Sequence, residues 1–254
     1  VIKNIKWKYV VIVSVLILVI VSASFYYSYY QSKKVLENSL LDQATTNASQ
    51  NAEIVSKSVE IIKTNVESIA SNQDMKTMFW VTQQFFLEER IKDSYFNSLF
   101  AVNKDGSYNM IIDSDSKEGA TSTYTGNMSE DSHFKKVIQD EKTILFGPVE
   151  HESLQEQAFM VLTPIFLREE LNGVLGATVP LSYMQNLIKN MNLNGEGYGW
   201  IINSDMKAIA HPNKELIGNN ISSQINNSLL KVTDKMVAGE SGTGYYNEDE
   251  VTNG

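Results

Sequence analysis

Residues 158–188 read "AFMVLTPIFLREELNGVLGATVPLSYMQNLI", and the fold turns on how this stretch is parsed. Residues 158–166 are rich in β-branched and aromatic side chains and predict a strand. Asn172-Gly173 is a turn signal. Residues 174–179 then form a second apolar run, and the segment after Pro180 has helical spacing. The stretch therefore predicts two antiparallel strands that feed a short helix.

Upstream, "YFNSLFAVNKDG" (residues 95–106) and "SYNMIIDSDSKEG" (residues 107–119) alternate around an Asp105-Gly106 turn and predict a second hairpin. "DSHFKKVIQDEK" (residues 131–142) predicts a short helix capped by Ser129 or Asp131. A further strand ends at Phe146. One helix-flanked antiparallel sheet of about five strands accounts for residues 95–190. Downstream, "YGWIINSDMKAIAHPNKELIG" (residues 198–218) repeats the order strand, turn and strand. A helical segment over residues 220–239 follows, and "SGTGYYNEDEVTNG" (residues 241–254) opens a further strand. Two related modules are expected, the second unfinished. The protein is expected to continue past Gly254, and, from an initial Val instead of Met, the chain is expected to be a processed or excerpted piece.

The N-terminal region differs in kind. Residues 9–31 contain no charged side chain across 23 positions, and a helix needs about 20 to cross the hydrocarbon layer. Lys3, Lys6 and Lys8 precede this segment, and Trp7, Tyr9, Phe25, Tyr26, Tyr27, Tyr29 and Tyr30 mark its two ends. Basic residues ahead of the span place the N-terminus in the cytoplasm and the remainder outside. The apolar run exceeds the 7–15 residues of a cleavable signal, so an uncleaved anchor is expected. From Leu41, apolar or small residues recur at Thr45, Ala48, Ala52, Val55, Val59, Ile62, Val66 and Ile69, in alternating steps of four and three. That is a heptad seam, with no Pro or Gly before Gly106. It predicts a long helix that pairs with a second copy or packs on the following domain, the first being the preferred reading. The expected divisions are a cytoplasmic tail (1–8), a membrane helix (9–31), a long helix (32–92), a membrane-distal module (93–191) and a membrane-proximal module (192–254).

Composition narrows the function. A formal charge of −9 over 254 residues, with no basic stripe, argues against nucleic acid as a partner. The absence of cysteine excludes thiolate catalysis and disulfides. No phosphate-binding glycine loop, zinc-protease helix or serine elbow occurs. "DSDSKEG" (residues 113–119) lacks the glycine spacing and terminal glutamate of a calcium loop. His133, His151 and His211 lie in unlike contexts, and His151 reads as an exposed loop residue. Neither enzyme activity, a cofactor nor a metal is expected. A binding pocket fits better: Tyr95, Tyr108 and Tyr124 near the strands, Asp131, His133 and Phe134 at the helix start, and Met160, Thr163 and Thr178 on the returning strands. Tyr198, Trp200 and His211 form a secondary candidate in the second module.

"SEDSHFKKVIQDEKTILFGPV" (129–149), "LTPIFLREELNGVLGATVPLSYMQNLI" (162–188) and "GYGWIINSDMKAIAHPN" (197–213), in this order behind a long helix, resemble the double Cache domain. This is the extracytoplasmic sensing region of bacterial methyl-accepting chemotaxis proteins, some sensor histidine kinases and some diguanylate cyclases. The resemblance implies an α+β protein with two PAS-like modules, a homodimer through the long helix, and a small-molecule ligand or a periplasmic-type binding protein as partner. A histidine kinase or cyclase sensor, or a non-sensing stalk, is the alternative. Many members hold an amino acid with an Arg and an aromatic at the start of the short helix and an Asp on the last strand. Those positions fall here on Asp131, His133 followed by Phe134, and Thr178, so the resemblance also implies that the amino-acid clamp is missing.

Overall fold

The computed structural model describes residues 2–92, 94–113, 121–150, 157–189, 191 and 197–244. His151, most of the 113–119 loop and the expected strand near the end of the chain lie outside these residues. Helix α1 (Ile2–Ala70) is unbroken, as expected for a stretch without proline or glycine.

Residues 1–49 form one unit and 50–254 a second. In the first, the apolar side chains from Tyr9 to Tyr30 find no cover within the chain; Leu18 is 67% and Phe25 73% exposed. A fully exposed apolar helix with aromatic ends is the form that a lipid-facing segment takes. It is the membrane span.

In the second unit α1 ends at Ala70, and the chain continues through α2 (Gln73–Lys76) and α3 (Trp80–Lys92). The continuous helix expected through residue 92 is thus broken twice. Asn72 caps α2 by accepting from the Asp74 N–H, and Met78 adopts a positive φ of 52° before α3.

Strands β1 (Ser98–Val102), β2 (Ser107–Asp113), β3 (Thr121–Asn127), β4 (Ile144–Val149), β5 (Ala158–Leu167) and β6 (Glu170–Pro180) form one antiparallel sheet in the order β3-β2-β1-β6-β5-β4. Helix α4 (Ser132–Asp140) joins β3 to β4, and α5 (Leu181–Ile188) follows β6. Six strands replace the expected five. The added one, β3, is a threonine-rich edge strand with no buried residue, so it carries no hydrophobic alternation to reveal it.

The β5–β6 turn is also displaced from its expected place. Leu167 pairs with Glu170 across Arg168 and Glu169, whose φ values are 52° and 69°. This is the two-residue left-handed hairpin geometry that asparagine and glycine ordinarily supply. Asn172 and Gly173 instead lie within β6. Asn172 donates to the Lys76 carbonyl at 2.8 Å, and a side chain at residue 173 would collide with Met78.

Each sheet face buries its own core. Leu99, Ala101, Ile111, Val161, Leu175 and Ala177 face Ile62, Val66 and Ile69 of α1, Leu87 and Ile91 of α3, and Met184 and Ile188 of α5. Phe100, Val102, Met110, Leu162 and Val174 face Phe134 and Val137 of α4. The preferred pairing of the heptad seam with a second copy is therefore corrected from Val59 onward. Those residues pack on their own sheet, because a six-stranded sheet with an apolar face requires a cover. The second module contributes the hairpin β7 (Ile201–Ile202) and β8 (Ala208–Ala210), and the helix α6 (Asn227–Val237). Ile209 and Ala210 join the core beneath α5.

Candidate functional site

Strand parity sorts the candidate residues. Opposite one another on the α4 side stand Ser98, Thr178 and Met160, with Met160 next to Phe146. Tyr108, Met110 and Tyr124 share that side through the β1, β2 and β3 registers. Two glycines let aromatic rings lie flat on the strands: a Cβ at Gly176 would meet the Phe100 ring at 2.0 Å, and one at Gly126 the Tyr108 ring at 2.4 Å. Burial raises the Tyr108 pKa above its ordinary value.

Helix α4 is placed over this face by its cap. Asp131 accepts from the backbone N–H groups of His133 and Phe134, both at 2.8 Å, which fills two of the donor positions left open at a helix start. Phe134 is buried in the α4-side core. His133 stacks on Phe146 with ring centroids 3.7 Å apart and planes 3° from parallel. Its Nδ1 is enclosed without a hydrogen-bond partner, 3.6 Å from Asp131 Oδ1. Lys135 pairs with Glu130 at 2.8 Å, holding that exposed carboxyl below its ordinary pKa.

The floor is polar where the rest of the face is apolar. Thr178 and Ser98 are both fully buried, with their hydroxyls 2.6 Å apart. Thr178 also donates to the Asn97 side chain. Phe146, Ser98 and Asn97 escaped the sequence reading; the register of β1 against β6 was the signal that would have found Ser98.

Two candidate residues belong elsewhere. Thr163 points to the opposite face, where its hydroxyl lies 2.7 Å from that of Thr143. A residue three positions from Met160 along a strand cannot share its side. Tyr95 precedes β1 and packs on the helical side, 5.0 Å from the Tyr183 ring, accepting a hydrogen bond from Asn65 at 2.7 Å. Burial raises its pKa, opposed by that bond.

In the second module Tyr198, Trp200 and His211 converge. The ring centroids of Tyr198 and Trp200 lie 5.4 and 6.0 Å from that of His211, both edge-on. His211 Nδ1 accepts from the Asn213 N–H, its carbonyl accepts from Gln185, and burial holds its pKa below the ordinary value. Among the described residues no group of three His, Asp or Glu side chains is placed to hold a metal ion.

Known proteins share this fold. Over residues 31–253 the chain matches the family model described as Cache domain, in its double form. A methyl-accepting chemotaxis protein of Bacillus subtilis, McpA, is 23% identical over 235 residues, covering 88% of this chain and 32% of McpA. Another such protein, PscA of Pseudomonas syringae, is 29% identical over 80 residues, 32% of this chain and 13% of PscA. The chain thus spans a third or less of the length of these relatives.

Among solved structures, methyl-accepting chemotaxis protein X superimposes with a TM-score of 0.65 at 14% identity, covering 80% of this chain and 84% of that one. The ligand-binding domain of the Pseudomonas fluorescens chemoreceptor CtaA, in complex with L-isoleucine, gives 0.59 at 14% identity over 75% and 76%. The extracellular domain of a candidate histidine kinase, vpHK1S-Z8, gives 0.59 at 16% identity over 82% and 84%. With the family model spanning nearly all of the sequence beyond the membrane helix, the chain belongs to the double Cache family of extracytoplasmic sensory domains.

Proposed function

We propose that the chain is the ligand-sensing ectodomain and first membrane span of a chemoreceptor, and that its ligand sits on the α4 face of the six-stranded sheet. One observation carries this reading. The buried hydroxyl pair Ser98–Thr178 lies on the same sheet face as Met160, whose strand neighbour Phe146 stacks on His133 at the start of α4. Polar groups set among apolar and aromatic walls are the usual make-up of a small-ligand site.

The charges select the ligand class. Asp131, with Glu130 next to it, stands at the start of α4, and its carboxylate is already engaged in capping. No cation of the described α4 start faces the sheet to receive a carboxylate; Lys135 is exposed and paired with Glu130. The site suits a cationic or neutral molecule, or the tip of a binding protein, rather than an amino acid held by both ends.

Ligand closure of α4 on the sheet shifts β6 and the helices on its far face, among them α1, by about 1–2 Å. Because α1 is one uninterrupted helix from Ile2 to Ala70, that shift travels toward the bilayer. Ile54 and Ile61, one heptad apart and 49% and 54% exposed, supply a face for a second copy. The likeness to the extracellular domain of a candidate histidine kinase supports kinase control as the second reading. The test joins this chain to the cytoplasmic region of a chemoreceptor in a motile strain stripped of its own receptors. Swimming responses to a metabolite panel that disappear in His133→Ala support the proposal. A stable chimera that responds to nothing, or that responds equally well with His133→Ala, refutes it.

A further inference from the structure

A cavity lies away from the α4 face, between α5 and the second module, with a volume of about 790 Å³. That falls within the roughly 300–1,000 Å³ typical of small-molecule sites. Helix α5 supplies Ser182 and Gln185 to one wall, with Lys189 at its C-terminal cap, and Tyr198, His211 and Lys214 line the other. In a chain with a formal charge of −9, the described residues of the lining include two lysines and no aspartate or glutamate. Such an inversion of local charge favours an anion.

Polar groups in the lining are fixed in place. Because His211 Nδ1 accepts from the Asn213 N–H at 3.0 Å, the neutral ring carries its proton on Nε2 and acts as a donor there. Tyr198 and Trp200 hold the ring edge-on. The His211 carbonyl accepts from Gln185 at 2.9 Å, a direct tie between α5 and the second module. Gln157, at the same cavity, donates its amide N–H to Glu150, while its amide oxygen is enclosed without a partner.

We propose that this cavity is a second ligand site, for a small organic carboxylate. The carboxylate lies between Lys189 and Lys214. Because its walls come from both modules, occupancy favours the state in which α5 and the second module are docked. The site is independent of the α4 face, and neither proposal depends on the other.

The test uses the full chain in lipid nanodiscs with Trp7→Phe and Trp80→Phe, which leaves Trp200, beside His211, as the one tryptophan. Acetate, glycolate, benzoate and 4-hydroxybenzoate are titrated, with benzamide as the uncharged control, and calorimetry on the unsubstituted chain repeats the measurement. A saturable change in Trp200 emission is expected with a carboxylate. Its affinity should fall about tenfold or more, about 1.4 kcal/mol, for benzamide and for the Lys189→Gln, Lys214→Gln pair. No saturable response to any of the four carboxylates overturns the proposal. So does a response that the lysine substitutions leave unchanged.

Discussion

The imidazole of His133 lies flat on the ring of Phe146, centroids 3.7 Å apart. One residue begins the helix that roofs the sheet; the other sits on its edge strand β4. The stack, worth about 0.5–1.5 kcal/mol for aromatic pairs, joins the roof to the edge of the sheet, and under the proposed ligand site it would couple occupancy of the face to the position of α4.

Strand β6 has no spare room at Gly176, where the Phe100 ring lies on the backbone. Because a Cβ at Gly176 would stand 2.0 Å from the Phe100 ring, itself 1% exposed, Gly176→Ala should destabilise the chain by about 1–3 kcal/mol through overpacking. Urea unfolding followed by circular dichroism measures it as a lower midpoint at unchanged slope. Adding Phe100→Leu should recover part of the loss; no recovery would mean that the collision is not the cause.

The cap of α4 should obey the chemistry of its acceptor. Asp131→Ala removes the oxygen that takes the His133 and Phe134 N–H groups and should cost about 1 kcal/mol, whereas Asp131→Asn keeps an acceptor and should cost less. The same urea experiment reads both. Equal losses would show that the charge, and not the hydrogen bond, is what matters at this position.

Thiols introduced into this cysteine-free chain report on the long helix. Ile61→Cys, at a position 54% exposed, should crosslink to a second copy in membranes, while Val66→Cys, at a fully buried one, should not. Crosslinking at Val66 but not at Ile61 would reverse the assignment of the two faces.

His211 should make the protein less stable in mild acid. Its pKa is lowered in the fold by burial, so the unfolded chain binds the proton more readily. The stabilising contribution is complete above the unfolded value of about 6.5 and is lost as pH falls through the lower folded value. Melting curves between neutral pH and about pH 5 should therefore show a decline that His211→Gln reduces. An unchanged slope in His211→Gln would assign the decline to other groups.

What the sequence revealed of this fold followed from periodicity. The β1–β2 hairpin around Asp105-Gly106, the short helix α4 and the span over residues 9–31 all carry strong local patterns, and each stands where it was expected. The structure departs from expectation where tertiary contact overrides local preference. Asn172-Gly173 is a better turn than Arg168-Glu169, yet the Lys76 carbonyl and Met78 side chain claim the former for the strand. In the same way, the seam of Val59, Ile62, Val66 and Ile69 has coiled-coil spacing but serves a sheet. At the candidate site, the odd separation of Thr163 from Met160 puts the two on opposite faces, and Ser98 joins the site only through its pairing with Thr178. Side-chain spacing along a strand reads from sequence; the partner across the ladder does not.

The central claim, a ligand site on the α4 face that lacks the amino-acid clamp, is tested most directly by ligand-induced shifts of Tm. The chain in nanodiscs is screened against amines, neutral metabolites, nucleobases and L-amino acids, beside His133→Ala and Tyr108→Ala. An amine or neutral compound should raise Tm as its concentration passes Kd, L-isoleucine should not, and both substitutions should weaken the shift. The claim is contradicted if L-isoleucine raises Tm, if no compound does, or if the shift survives intact in both variants.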